Sequence, residues 1–249
     1  MTPRPILVTL DIVVLVAFFA CAACSSSSGV RRPELAVVPP SEIADFNALY
    51  ERNCAGCHGM NGKGAAAMAL ANPVFLAIAD DTVIRRIASN GVSGTPMPAF
   101  AQSAGGMLTE KQIDALITGI RSWAKPNALD GQTPPPYIAS GPGDSKRGAE
   151  AYRTYCSSCH GANGRGGSKA SSIVSGSYLA LVSDQQLRTI VIAGRPELDA
   201  PDWRGDVEGR PMSAQEISDV VAWLSSQRPN HPGQPYPNAS ATPAKGGSR

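Results

Sequence analysis

Two five-residue runs constrain this chain more than anything else in it: CAGCH at 54–58 and CSSCH at 156–160. Each reads Cys-x-x-Cys-His, and each is followed by Gly and then, one residue on, by Asn-Gly-Lys-Gly or Asn-Gly-Arg-Gly. One copy could arise by chance. Two copies with the same continuation, at an offset of 102, mark a duplicated unit built around paired thiols and an imidazole.

Cys54, Cys57, Cys156 and Cys159 could in principle form disulfides, a zinc site or redox dithiols. A zinc site would need further ligands, and no other ligand-rich cluster accompanies the two motifs. A thioredoxin-like dithiol belongs to a βαβ setting and needs no following His. Cys-x-x-Cys-His is the attachment sequence for c-type haem. Two thiols three residues apart on one helical turn add to the two vinyl groups of a single porphyrin. The adjacent His58 or His160 then turns its imidazole to the iron as proximal ligand. Two covalently attached haem c groups are therefore expected, held by Cys54, Cys57, Cys156 and Cys159.

The repeat extends past the motifs. Tyr50 matches Tyr152, and Asp81–Ile87 matches Asp184–Ile190 at an offset of 103. Each copy closes with an amphipathic helix behind a capping box. Thr109 and Gln112 precede Ile113, Leu116, Ile117 and Ile120; Ser213 and Glu216 precede Ile217, Val220, Val221 and Leu224. At the front, Ile43, Phe46, Leu49 and Tyr50 form an apolar stripe leading into the first motif. Residues 126–143, with three consecutive prolines, read as an extended spacer. From residue 229 the Pro-, Gly- and Ser-rich chain reads as a disordered tail.

With 22 basic against 20 acidic residues, the charge gives no footprint for nucleic acid. The N-terminal segment reads as an export signal over residues 1–23. Arg4 precedes an uncharged run from Ile12 to Ala23, too short for the roughly 20 residues that span a bilayer core. It resembles a bacterial lipoprotein signal, with Cys24 rather than Cys21 as the lipidated residue and residues 24–40 as a flexible tether; an uncleaved anchor over Ile6–Ala23 is the alternative. Either places the working part outside the cytoplasm, in the periplasm or its equivalent, tethered to a membrane.

Residues 41–125 and 144–228 resemble two fused class I c-type cytochrome domains. The likeness rests on both motifs, the helix carrying Tyr50 or Tyr152 ahead of the haem, and the closing amphipathic helix. It implies an all-α fold of two tandem cytochrome c-like domains, each wrapped around one haem. It also implies a sixth iron ligand, usually a Met beside Pro in the loop before the last helix. Met97, in TPMPAF and 39 residues after His58, fits. Pro73 fits a family proline whose carbonyl accepts the proximal imidazole's N–H, with Ser175 at the same offset in the second copy. Arg85, Arg86 and Arg188 are candidates to pair with haem propionates or, the preferred reading, solvated helix charges.

The second copy breaks the pattern. GVSGTPMPAFAQ (91–102) aligns without a gap on GRPELDAPDWRG (194–205), which puts Ala200 under Met97. A methyl cannot bind iron. Met212, 52 residues after His160 and also preceded by Pro, is the expected substitute, although as the residue before an N-cap it suits a hydrophobic staple to Ile217 equally well; an open or water-bound iron, or a nitrogen ligand such as His231 or a Lys, is the alternative. A His/Met iron has both axial positions filled, which suits electron carriage. The expectation is an exported carrier of single electrons between transient redox partner proteins. A dihaem enzyme with an open second iron, or a subunit of a larger oxidoreductase complex, are the alternatives.

Overall fold

The structure, a computed structural model, describes residues 38–229 apart from 206 and 208. The export signal, Cys24, most of the tether and the tail with His231 lie outside the described residues. From Pro40 onward the described helices belong to one compact unit. Among the described residues there is no β-strand, only two isolated bridges, Ala101 to Leu108 and Arg195 to Ala200.

The first half runs α1 (Phe46–Asn53), α2 (Ala55–His58), α3 (Pro73–Ile78), α4 (Asp81–Asn90) and α5 (Glu110–Arg121). The second repeats the order as α6 (Ser145–Tyr155), α7 (Ser157–His160), α8 (Gly176–Leu181), α9 (Asp184–Ala193) and α10 (Ala214–Ser226). Local chemistry sets the boundaries. The Asp45 carboxylate accepts from Ala48 N to start α1, and Asp144 accepts from Lys146 N and Arg147 N to start α6. Both expected capping boxes form, Thr109 with Gln112 on α5 and Ser213 with Glu216 on α10. No described helix is long and apolar enough to cross a membrane.

Each half is closed by its first helix crossing its last. On α5, a Cβ added to Gly119 would lie 2.0 Å from Cδ2 of Phe46 on α1, so the ring seats on the bare backbone. In the second half the sizes are exchanged. Gly148 on α6 stands where a Cβ would lie 1.9 Å from Asp219 O and 2.8 Å from Cβ of Trp223 on α10. By register Gly148 matches Phe46 and Trp223 matches Gly119, so large and small trade helices while the crossing stays close.

The indoles follow from that exchange. Trp123 stands edge-on to Tyr50 with centroids 5.1 Å apart, whereas Trp223 stacks on Tyr152 at 4.2 Å. Each indole covers the glycine of its Asn-Gly turn, Gly62 or Gly164. Both tyrosines are buried and donate their hydroxyls to the glycine after the motif, Tyr50 to Gly59 O at 2.9 Å and Tyr152 to Gly161 O.

The halves touch directly. The buried Asn72 caps α3 with its carbonyl oxygen and donates Nδ2–H to Ala193 O at the end of α9, 2.9 Å away. Arg195 Nη2 donates to Ala65 O at 2.9 Å and Ala67 O at 3.2 Å. The Pro-rich segment, expected as an extended spacer, is fastened to the second half. Tyr137 is buried, and Arg188, 3% exposed, donates to Pro136 O, Tyr137 O and Ser218 Oγ. Burial holds the Arg188 pKa below the usual guanidinium value.

Two candidate haem sites

The motif residues form one short helical turn in each half. Cys54 ends α1, sending its N–H to Tyr50 O, and the chain turns at once into α2, where His58 N bonds Cys54 O at 2.9 Å. Cys156, Cys159 and His160 repeat this, with His160 N to Cys156 O at 3.0 Å. Both turns stop at a glycine with positive φ, Gly59 at 75° and Gly161 at 76°. A Cβ there would lie 2.4 Å from Gly64 O or 2.5 Å from Gly166 O. The Gly after each motif is thus required by the loop that folds back on it.

That loop fixes the imidazoles. His58 Nδ1 lies 2.8 Å from Met68 O, and His160 Nδ1 lies 2.8 Å from Ser171 O. A carbonyl only accepts, so Nδ1 carries the proton and Nε2 keeps its lone pair for a metal. This corrects the sequence expectation. Pro73 is the first residue of α3 and Ser175 the N-cap of α8; the acceptors lie in the loops before those helices. Burial, with Arg195 nearby, lowers the His58 pKa, which keeps the ring neutral.

The four cysteines are free of disulfides. Burial, reinforced by the neighbouring thiol, pushes Cys54 and Cys156 up to about 11, so both are neutral thiols in the unmodified chain. No group of three or more His, Cys, Asp or Glu placed to hold a metal ion gathers among the described residues. Paired thiols and a proximal imidazole with free Nε2 in each half are the donor set that a covalent haem needs. One more observation fits the cofactor. Trp203 Nε1–H is buried without a partner among the described residues, and a haem carboxylate is an acceptor of the right chemistry.

Opposite the motif in sequence order stands the loop before the last helix. Thr95 Oγ1 accepts from Met97 N at 3.2 Å, and Met97 O accepts from Val92 N at 3.0 Å. Gly91 closes the turn at φ 67°. Met97 is half-buried there and is not packed into the apolar core. Gly194, at φ 69°, closes the matching turn, in which Arg195 N bonds Ala200 O at 3.0 Å. Met212 lies beyond that turn, directly before the N-cap Ser213 of α10, and is 6% exposed. Arg85 pairs with Asp114 and Arg86 is exposed, as expected of solvated helix charges, whereas Arg188 is buried and holds the Pro-rich segment. Sequence reasoning missed Arg195 and Asn72, which carry no motif and reach the other half only through its backbone carbonyls.

The family described as cytochrome c oxidase, cbb3-type, subunit III matches residues 41–118 and 143–224. The chain is 25% identical over 202 residues to the cytochrome bc1 complex cytochrome c subunit of Mycobacterium bovis, covering 77% of this chain and 67% of that one. It is 24% identical over 207 residues to the like-named subunit of Corynebacterium efficiens, covering 75% and 63%. It is 32% identical over 135 residues to the cbb3-type cytochrome c oxidase subunit CcoP of an Azospirillum species, covering 50% and 41%. Two matched segments, each with its own haem-attachment turn, mean two covalently bound haems on one chain. The chain is a dihaem c-type cytochrome and belongs to the cbb3-type cytochrome c oxidase subunit III family.

Proposed function

We propose that this cytochrome passes single electrons through two haems held in one rigid frame, as an exported protein tethered to a membrane. Cys54, Cys57 and His58 would hold the first haem, with Met97 as sixth ligand; Cys156, Cys159 and His160 would hold the second. When bound, haem supplies one-electron chemistry at iron. The chain's own part is to fix the imidazoles through Met68 O and Ser171 O, to exclude water with Tyr50, Tyr152 and the two indoles, and to hold the halves together through Asn72 and Arg195. The observation that carries the reading is the direct bonding between halves. Ala193 O, at the end of α9, and Arg195 secure the loop that carries Met68 O, so both haem sites share one scaffold.

Relatives named for the bc1 complex and the cbb3 oxidase favour a place within, or beside, a respiratory complex. Lipidation at Cys24, or an uncleaved Ile6–Ala23 segment, would supply the tether. Partner contacts near exposed haem edges would be small and transient unless the chain is a permanent subunit.

The test is a redox titration of the purified holoprotein followed by mixing with a pre-reduced quinol-oxidising complex. Two one-electron waves and rapid, salt-sensitive reduction are expected. Two waves with no electron uptake from any respiratory donor would refute the carrier role.

A further inference from the structure

In the first half the loop after α4 presents a sulfur; in the second the same loop presents a methyl. The correspondence is structural as well as sequential. Gly91 and Gly194 share a positive φ, and an added Cβ on either would strike the loop at the following Pro, 2.6 Å from Pro98 C or 2.7 Å from Pro201 C. Val92 N bonds Met97 O, and Arg195 N bonds Ala200 O, both at 3.0 Å. Ala200 therefore occupies the Met97 place.

The extra residue of the second loop enters after this point and does not bring Met212 into that place. Met212 N bonds Trp203 O at 2.8 Å, as Leu108 N bonds Phe100 O at 2.7 Å. Phe100 and Trp203 are register partners, so Met212 stands on the Leu108 position. Both side chains are 6% exposed and belong to the apolar core, and each sits directly before the N-cap of its last helix. The helical partners of that staple, Ile113 and Ile217, are fully buried. To ligate, Met212 would have to abandon a seat that a Leu fills in the sister half. Lys169, the lysine of the second half's loops, is exposed and lies between His160 and Ser171, on the proximal side.

Resting on the two-haem reading above, we infer that Ala200 leaves the second iron with one position the polypeptide does not fill, a binding site for a small external ligand. The ligand class is neutral diatomic molecules such as carbon monoxide or nitric oxide on the ferrous form and small anions such as cyanide on the ferric form.

The test uses full-length holoprotein. Haem content by pyridine haemochrome comes first. Fewer than two haems per chain would defeat the carrier reading itself, whereas a fully loaded protein puts only the present inference at risk. The ferric protein is expected to show the sulfur-to-iron charge-transfer absorbance of one haem in two, and the reduced protein to bind one carbon monoxide per chain. Met212→Leu, which keeps the staple, should change neither. Ala200→Met should double the absorbance and abolish carbon monoxide binding. A wild-type absorbance of two haems, halved in Met212→Leu, would overturn the inference in favour of Met212. One haem's absorbance with no carbon monoxide bound would overturn it in favour of a nitrogen ligand, His231 being available beyond the described residues.

Discussion

Removing the Arg195 guanidinium should loosen the two halves and the first haem site together. The side chain is 14% exposed. Its Nη2 donates to Ala65 O and Ala67 O at 2.9 and 3.2 Å, and its Nε pairs with Glu197. A hydrogen bond from a charged donor contributes about 1.5–3 kcal/mol. Ala67 O keeps a second donor in Ala65 N at 3.1 Å, so truncation does not orphan it. The Glu197 pair is partly exposed and adds about 0–1 kcal/mol. Arg195→Ala should therefore cost about 2–4 kcal/mol. For a unit of 150–250 residues that is a fall in melting temperature of roughly 4–16 °C. Thermal unfolding of the holoprotein followed by far-ultraviolet circular dichroism measures it. The perturbation should also reach the first haem, because the carbonyls released lie in the loop that ends at Met68, whose carbonyl holds His58 Nδ1. Arg195→Lys separates the effects, since it keeps the charge and loses the fork. A lysine variant with a shifted first-haem potential and an unshifted second is expected. If Arg195→Ala melts within a degree of wild type, the bonds between halves do not contribute as argued.

Three further outcomes follow from contacts elsewhere. Gly148→Ala should unfold the second half or lower its melting point severely, because the new methyl would sit 1.9 Å from Asp219 O; a mild shift by calorimetry would refute so close a crossing. Burial pushes the Asp219 carboxyl up, but donation from Arg147, Asp144 N and Gln215 outweighs it and holds the group below its usual range. The stability it adds is then present above the unfolded carboxylate value of about 3.9 and lost as pH falls through the lower folded value. Asp219→Asn should melt lower than wild type at neutral pH, with the gap closing in acid; a gap independent of pH would refute this. Arg188→Met should remove the charged donor from Pro136 O, a loss of about 1.5–3 kcal/mol, and open the 132–138 segment to limited proteolysis. Unchanged cleavage kinetics would show that the segment is held by Tyr137 alone.

Much of the architecture could be read from local pattern. The Cys-x-x-Cys-His turns, both capping boxes and the apolar stripes of α5 and α10 depend on residues within one or two helical turns of each other. What could not be read depends on pairs far apart. The imidazole acceptor was placed at Pro73 by resemblance, but the bond is made by whichever backbone carbonyl the loop brings to Nδ1. Met68 O and Ser171 O serve, and a carbonyl leaves no trace in residue type. The same blindness hid Arg195 and Asn72, whose partners at 65, 67 and 193 are main-chain atoms. The fastening of the Pro-rich segment was hidden for a related reason. Composition describes how stiff such a segment is, not whether a buried arginine elsewhere will donate to its carbonyls.

The two halves also show what duplication leaves free to change. At the helix crossing both positions differ between the halves, but in concert. Phe46 lies over Gly119 in the first half and Gly148 under Trp223 in the second, and Trp123 or Trp223 covers the Tyr. Packing enforces that, because an overlap of an ångström between fixed backbones has no cheap relief. The loop of Met97 differs without such a reply. Ala200 stands where the first half has Met97, in a turn that keeps the bond from the residue after the Gly to the carbonyl at this position, and Met212 stands on the Leu108 position. A half-buried loop side chain that packs against no core can be lost without unfolding the domain, so stability does not police it. Restoring the thioether at 200 should therefore be tolerated structurally and should change only the iron's sixth position. That separates a residue kept for the fold from one that decides chemistry, and the sulfur absorbance of Ala200→Met reads the difference directly.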